Sequence, residues 1–579
     1  MKKVYLMSDY SNKCKKIAED LCLPKTNIIS IQTHENDRAY HNWLNKEFKE
    51  NEIDKILIPI SISNDFSINT DGLLFGLHIR LNYELPLKKR LIPIIFLSNF
   101  TLENLFKNNQ FDIYNNPQYL LLTRGVYLSS FDIEEIKNTV EIVTAFSDSE
   151  YYKNVLPKLN IHRLYGGHDI ANAWGCFKLA QVLGISDKIF ELNSISKHLK
   201  QLYAKYLICY NESFNREKRI DLEPLNCSGK KILFIDDKSD EGWAYLMQNI
   251  FKSTGNNFVF VDSSKYKADD EHKSFNDYEG FLNECRSHIG KDWDLIIIDL
   301  RLNPEKEDID NEMISPTEFS GYKLIVEFLT ENEGYQIIVS TASNKIWNIN
   351  AALERGASSY YVKESPEFNY SISETNKHYE NFKKVVENCF EQKYLFNIWE
   401  CINKIKKHFD YNPLKKYFPN NLKMLEALSY QILILEELDS SFRMLKTDNK
   451  NKLNVAMLSI FKTLESLSEI FISKSETSGK LHFYDNLEVK FCDSKFEYEP
   501  KSKTSEISKN AYESTENKIH ALLSQKLGIK DLSLHEFIRN ISKYRNNYIH
   551  PKNRFILKKL TSKDIENWFA SLHKILIKV

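Results

Sequence analysis

The sequence predicts a multidomain protein with two doubly wound parallel-sheet α/β domains and an all-α C-terminal domain. Three observations carry this. Short apolar runs rich in Ile, Leu and Val alternate with helical patterns twice, over residues 1–135 and 229–370, as expected of strands buried on both faces by crossover helices. In the second alternation, acids and a lysine fall at the carboxyl ends of the strands, where open parallel sheets bind ligands. From residue 421 onward, apolar residues recur at three-to-four spacing, the period of amphipathic helices.

Length and composition agree with this division. A chain of 579 residues exceeds one core and suggests roughly three to five domains. The net charge is −1, so global charge argues for no partner. Nine scattered cysteines with no CxxC pair read as reduced thiols in a cytoplasmic protein rather than a disulfide framework or zinc site. The opening MKKVYLMSDYSNKCKK turns polar at once, which argues against a signal peptide. No apolar run reaches the ~18 residues that a membrane span needs.

Over residues 1–135, KKVYLM, DKILIPISI, RLIPIIFLS and YLLLTRGVYL read as strands, and DGLLFGLHIRL as a helix start. This stretch aligns with the second alternation. DKILIPIS from Asp54 matches DLIIIDLR from Asp294, Gly72 falls near Gly321, and Ser98 near Thr341. Pro59 then stands where the second copy has Asp299, and no lysine closes the last strand. The first domain is therefore expected to be a structural or dimerising module that has lost its acids. Residues 136–228 read as a helical connector.

Residues 229–370 hold the polar strand ends. KKILFIDD ends in Asp236 and Asp237, DLIIIDL delivers Asp299, QIIVSTAS delivers Thr341, and SSYYVKES delivers Lys363. Hard carboxylate oxygens suit Mg²⁺, and a carboxylate can attack phosphorus once a cation and a lysine offset the charge. Residues 371–420 read as a helical linker and 421–579 as a helical domain. Its polar excursion, 473–518, holds a possible hairpin in HFYDNLEVKF.

The central constellation resembles the phosphoacceptor receiver domain of two-component signalling. The resemblance implies Asp236, Asp237 and Asp299 as Mg²⁺ ligands and Asp299 as phosphoacceptor. It implies Thr341, Lys363 and Tyr360 as the residues that sense the phosphorylated state, and an upstream phosphodonor kinase or regulatory partner. Two departures stand out. The loop from Asp299 to Gly321 is long and acidic (Glu305, Glu307, Asp308, Asp310, Glu312), and Glu364 follows Lys363 where proline is common in that family.

In the connector, GHDIANAW places His168 and Asn172 on one helical face. This resembles the phosphorylatable box of histidine-kinase hairpins, with His168 as the phosphoryl site. No Gly-rich ATP lid accompanies it, and a histidine at a helix start is the simpler reading.

Near the C-terminus, YRNNYIHP carries Arg545, Asn546 and His550. It resembles the R-x4–6-H motif of HEPN domains, with an acid-bearing helix (Glu465) before it and an amphipathic helix after it. The resemblance implies metal-independent cleavage of RNA at a site formed across a homodimer. His550 would move protons and Arg545 would steady phosphate charge. Lys530–Val579 holds 11 Lys and Arg against 4 Asp and Glu, which suits an RNA substrate. The expectation is a signal-gated endoribonuclease of the toxin or phage-defence type, with Mg²⁺ at the central pocket, none at the HEPN site, and no membrane partner. A non-enzymatic signalling adaptor built from docking modules is the alternative.

Overall fold

The computed structural model describes residues 3–579 apart from 9–10, 31–36, 63–69, 108–116, 145–155, 157–158, 160, 162–166, 192–200, 215–224, 269–273, 304–314, 344, 367–370, 419–420, 490–513 and 550–558. The first domain is a five-stranded sheet of β1 (Val4–Ser8), β2 (Ile28–Ser30), β3 (Lys55–Pro59), β4 (Ile94–Leu97) and β5 (Val126–Ser129). All pairs are parallel, in the order β2-β1-β3-β4-β5. The second domain repeats it with β6 (Ile232–Ile235), β7 (Phe258–Phe260), β8 (Leu295–Asp299), β9 (Ile337–Thr341) and β10 (Ser359–Val362), in the order β7-β6-β8-β9-β10. Those two orders are the same. Each sheet has one strand more than the sequence predicts. The extra strands, β2 and β7, are three-residue strands on equivalent edges, too short to announce a period.

Alternation along the strands buries both faces, as parallel sheets require. In β3, Ile56 and Ile58 enter one core with Leu73, Phe75, Leu77 and Ile79 of helix α1 (Asp71–Leu81), while Leu57 enters the opposite core. Two further helices lie between the two sheets in sequence. Helix α2 (Gly167–Leu183) is buried without a break from Ile170 to Ala180. Helix α3 (Leu202–Phe214) gives Leu202 and Cys209 to the first core and Ala204, Leu207 and Ile208 to the second. The second sheet is flanked by α4 (Trp243–Ile250) on the α2 side and α5 (Ser320–Glu331) on the other.

The stretch expected as a linker, 371–420, divides between two cores. Helix α6 (Ile372–Glu391) packs Tyr379, Phe382, Val386 and Cys389 into the second sheet's core. Most buried apolar residues of α7 (Tyr394–Tyr411) belong instead to the helical core behind it. The apolar faces of both helices need cover, so neither stands apart as a spacer. The helical core is completed by α8 (Asn421–Leu445), α9 (Lys452–Phe471), α10 (Leu532–Ile549) and α11 (Ser562–Leu576). The hairpin pairs Ile472–Lys474 with Leu481–Phe483. It thus begins before HFYDNLEVKF, which supplies His482 and Phe483 to that pair and adds the bridge His482 to Glu488. Among the described residues, no helix is long and apolar enough to cross a membrane.

Candidate functional site: a buried carboxylate pocket

The two sheets share more than strand order. The amide of Gly72 donates to Ile60 O at 3.0 Å, and that of Gly321 donates to Leu300 O at 3.1 Å. Both glycines are obligatory for close approach: a Cβ would lie 1.9 Å from Pro59 O in one and 2.0 Å from Asp299 O in the other. At the opposite end, Asp54 N donates to Lys3 O at 2.9 Å and Asp294 N to Lys231 O at 2.8 Å. Pro59 and Asp299 are therefore equivalent positions.

Strand registers extend the equivalence. Leu6 pairs with Leu57 as Phe234 pairs with Ile297, which sets Ser8 opposite Asp236. Pro59 pairs with Leu97 as Asp299 pairs with Ser340, which sets Ser98 opposite Thr341. Leu97 pairs with Ser129 as Ser340 pairs with Tyr361, which sets Phe131 opposite Lys363. The first domain thus has Ser8, Pro59 and Phe131 where the second has two acids and a lysine. Residues 10–129 match the family model of the inactive receiver domain. The parallel sheet, and Ser8 and Pro59 in the places of Asp236 and Asp299, both agree with that description. Comparison with curated proteins gives no match.

In the second domain the strand ends converge. The ammonium of Lys363 donates to Asp236 Oδ2 at 2.8 Å, to Asp299 Oδ2 at 2.6 Å and to Asn172 Oδ1 at 2.7 Å. Its Nζ lies 4.6 Å from the centroid of the Trp243 ring. Carboxylate oxygens of Asp236, Asp237 and Asp299 lie within 4.8 Å of one another. Lys363 and Asp236 are 0 % exposed, and Asp237 and Asp299 nearly so. Such burial is costly unless charges are paired; here Lys363 pairs with Asp236 and Asp299, and Lys238 and Lys267 act on Asp237. Burial pushes the Asp299 carboxyl up to about 6, against the pull of Lys363. Burial also raises Asp237 well above the carboxylate range, with Lys238 and Lys267 opposing and Asp236 and Asp299 adding. Burial works against the charge on Lys363, yet Asp236 and Asp299 together hold it above its ordinary range. A hard divalent cation meets this donor set well: three oxygen ligands with a surplus of negative charge.

Lysines edge the pocket. Lys238 pairs with Asp169 at 3.1 Å and Glu241 at 3.3 Å. Lys267 pairs with Asp240 at 2.8 Å and donates to Asp237 O. Thr341 closes β9, where its hydroxyl accepts from Ser343 N at 3.0 Å and its carbonyl accepts from Lys363 N at 2.7 Å. Tyr360 is exposed, while its neighbour Tyr361 is buried and stacks on His378. Glu364 is buried, accepting from Thr375 Oγ1 at 3.0 Å and lying 3.6 Å from His378 Nδ1. Here the residue after the lysine ties β10 to α6, a task a proline could not perform. The acidic loop residues Glu305 to Glu312 lie outside the described residues.

The pocket takes Asp169, Asn172, Lys238, Lys267 and Trp243 in addition to the residues read from strand ends. The HDIANAW pattern did single out Asn172, but beside His168 as a phosphoryl site. His168 lies in α2, and nothing of its side chain is described.

At the C-terminal motif, Arg545 Nη1 donates to Asn546 Oδ1 at 3.0 Å. The guanidinium sits 5.2 Å from the ring of Phe461 on α9, one turn before Glu465. His550 lies outside the described residues. Nearby, His520 Nδ1 and His535 Nδ1 are 2.7 Å apart with their rings stacked at 4.9 Å.

Proposed function

We propose that this chain is a signalling protein whose second α/β domain accepts a phosphoryl group on Asp299, in the manner of a receiver. The observation that supports it is the buried Lys363 ammonium joining Asp236 to Asp299 beside Asp237, at the carboxyl end of a sheet built like the matched inactive one. Asp236, Asp237 and Asp299 would hold Mg²⁺. When bound, the cation would offset the charge of the carboxylates and of the phosphoryl oxygens. Asp299 would attack phosphorus of a phosphodonor through one carboxylate oxygen. The new O–P bond forms as the bond from phosphorus to the donor breaks, and the donor leaves with that electron pair. Lys363 would balance the phosphoryl charge, and Thr341, one residue past the β9 partner of Asp299, would meet it at the rim. Tyr360 is placed at the surface where a change in the pocket could be read by a partner.

Incubation of the full chain with acetyl phosphate and Mg²⁺ tests this. Intact mass should rise by one phosphoryl group in the wild type and not in Asp299→Asn. An unchanged wild-type mass over a range of donor concentrations would remove the reading.

The output would lie in the helical domain. Cleavage of RNA by Arg545, Asn546 and His550, from two copies brought together, is the second reading. What favours it is the Arg545–Asn546 pair lying against the helix that carries Glu465. Purified protein in EDTA should cleave RNA, and His550→Ala and Arg545→Ala should not. Intact RNA with wild type, before and after acetyl phosphate, would leave the docking adaptor as the output.

A further inference from the structure

Helix α2 lies in sequence outside the second domain, yet it seals that domain's pocket. Its residues Asp169, Asn172 and Gly175 recur three apart and so share a face. Asp169 holds Lys238, Asn172 accepts from Lys363, and a Cβ on Gly175 would lie 3.1 Å from Glu364 N and O and 3.3 Å from Lys363 Cβ. The next residue, Cys176, is fully buried, close enough for the charges of Lys363 and Asp236 to act on it. One turn beyond Gly175, Lys178 is nearly fully buried, and Glu364 partly offsets the cost of its charge. The helix is thus fastened along the pocket at successive turns.

The decisive contact is at Lys363. An ammonium has three donors, and all three are taken: by Asp236, Asp299 and Asn172. An anion arriving at the pocket can gain a Lys363 donor only by displacing one of these. Two acceptors are carboxylates, each an ion pair with the ammonium; Asn172 is the neutral one, and its bond lacks that charge–charge attraction. We propose that Asn172 is an in-chain stand-in for the phosphoryl oxygen, so that α2 competes with the phosphorylated state and is released from the pocket when that state forms. This rests on the phosphoacceptor reading above. It makes α2 the element that moves, and α2 and α3 share a core at the junction of the two sheets.

The test uses the full chain with Mg²⁺ and beryllofluoride, followed by calorimetric titration and by amide exchange of residues 167–183. Freeing one charged donor is equivalent to about 1.5–3 kcal/mol. Asn172→Ala should therefore bind beryllofluoride roughly tenfold to hundredfold tighter than wild type. Asp169→Asn, which loosens the helix at Lys238 without touching Lys363, should shift affinity in the same direction by a smaller factor. In the wild type, amide exchange across 167–183 should speed up on binding. Wild-type binding equal to or tighter than that of Asn172→Ala, or slower exchange of the helix, would overturn the stand-in and leave the phosphoacceptor reading intact. No binding by wild type and Asn172→Ala alike, or binding that survives Asp299→Asn, would remove the phosphoacceptor reading and this proposal with it.

Discussion

Asp236 and Asp299 share a single buried cation, so truncating Lys363 leaves two carboxylates facing each other out of water. Removing one partner of a buried ion pair costs about 3–5 kcal/mol. Lys363→Ala should lose at least that much in urea unfolding, whereas Lys363→Ala combined with Asp236→Asn should recover part of it. Additive losses would show that the ammonium does not bridge the acids. The acids and the lysine were legible because strand ends in a parallel sheet carry functional side chains, and a polar residue after four apolar ones is conspicuous. Asn172 was not, because its role depends on a helix folding back over another domain, which no local spacing records. HDIANAW drew notice for His168 and Asn172 together; the contact of Asn172 with Lys363 was not visible in that spacing.

At the scale of elements, the glycine at the start of the third crossover helix fixes how closely that helix sits on the central strand. Gly321→Ala and Gly72→Ala should each destabilise by roughly 1–3 kcal/mol, as overpacking does, despite the better helix propensity of alanine. Chemical denaturation checks this, and neutral effects in both would contradict the close approach. In the helical domain, the His520–His535 contact makes a pH prediction. Burial depresses the pKa of His535, with His520 and Arg539 adding; the Ile529 carbonyl and Asp531 oppose. A depressed histidine favours the neutral form in the folded state. Its contribution is therefore complete above the unfolded value near 6.5 and is lost as pH falls below it. The thermal midpoint should drop between pH 7.5 and 5.5, and His535→Gln should flatten that drop. The edge strands β2 and β7 went unread because three residues carry no alternation. The cores divide between α6 and α7, whereas the Pro and Asn punctuation at YNPLKKYFPNN follows α7.

For the whole molecule, α3 is the shared beam. Leu202 and Cys209 face one sheet, and Ala204, Leu207 and Ile208 face the other. Its Lys205 is fully buried, with Nζ 3.1 Å from His78 Nδ1 of α1. Ile208→Ala should cost about 2–5 kcal/mol, as large-to-small changes in cores do. If the domains unfold together, amide protection should fall in both sheets. Loss confined to the second sheet would show that α3 does not couple them. The layered α/β architecture was open to reading from alternation alone. The shared helix was not, since an all-round apolar helix such as α2 or α1 says only that it is covered, not by what.

The pair of sheets has one more consequence. Every chain carries its own reference: a scaffold of matched strand order, matched glycine and matched hydrogen bonds, with Ser8, Pro59 and Phe131 in place of Asp236, Asp299 and Lys363. Peptides from residues 3–135 and 229–391 of the same labelled sample can then be compared directly. Whatever a phosphodonor does to exposed acids in general will mark both halves, and only the chemistry of the pocket will mark one.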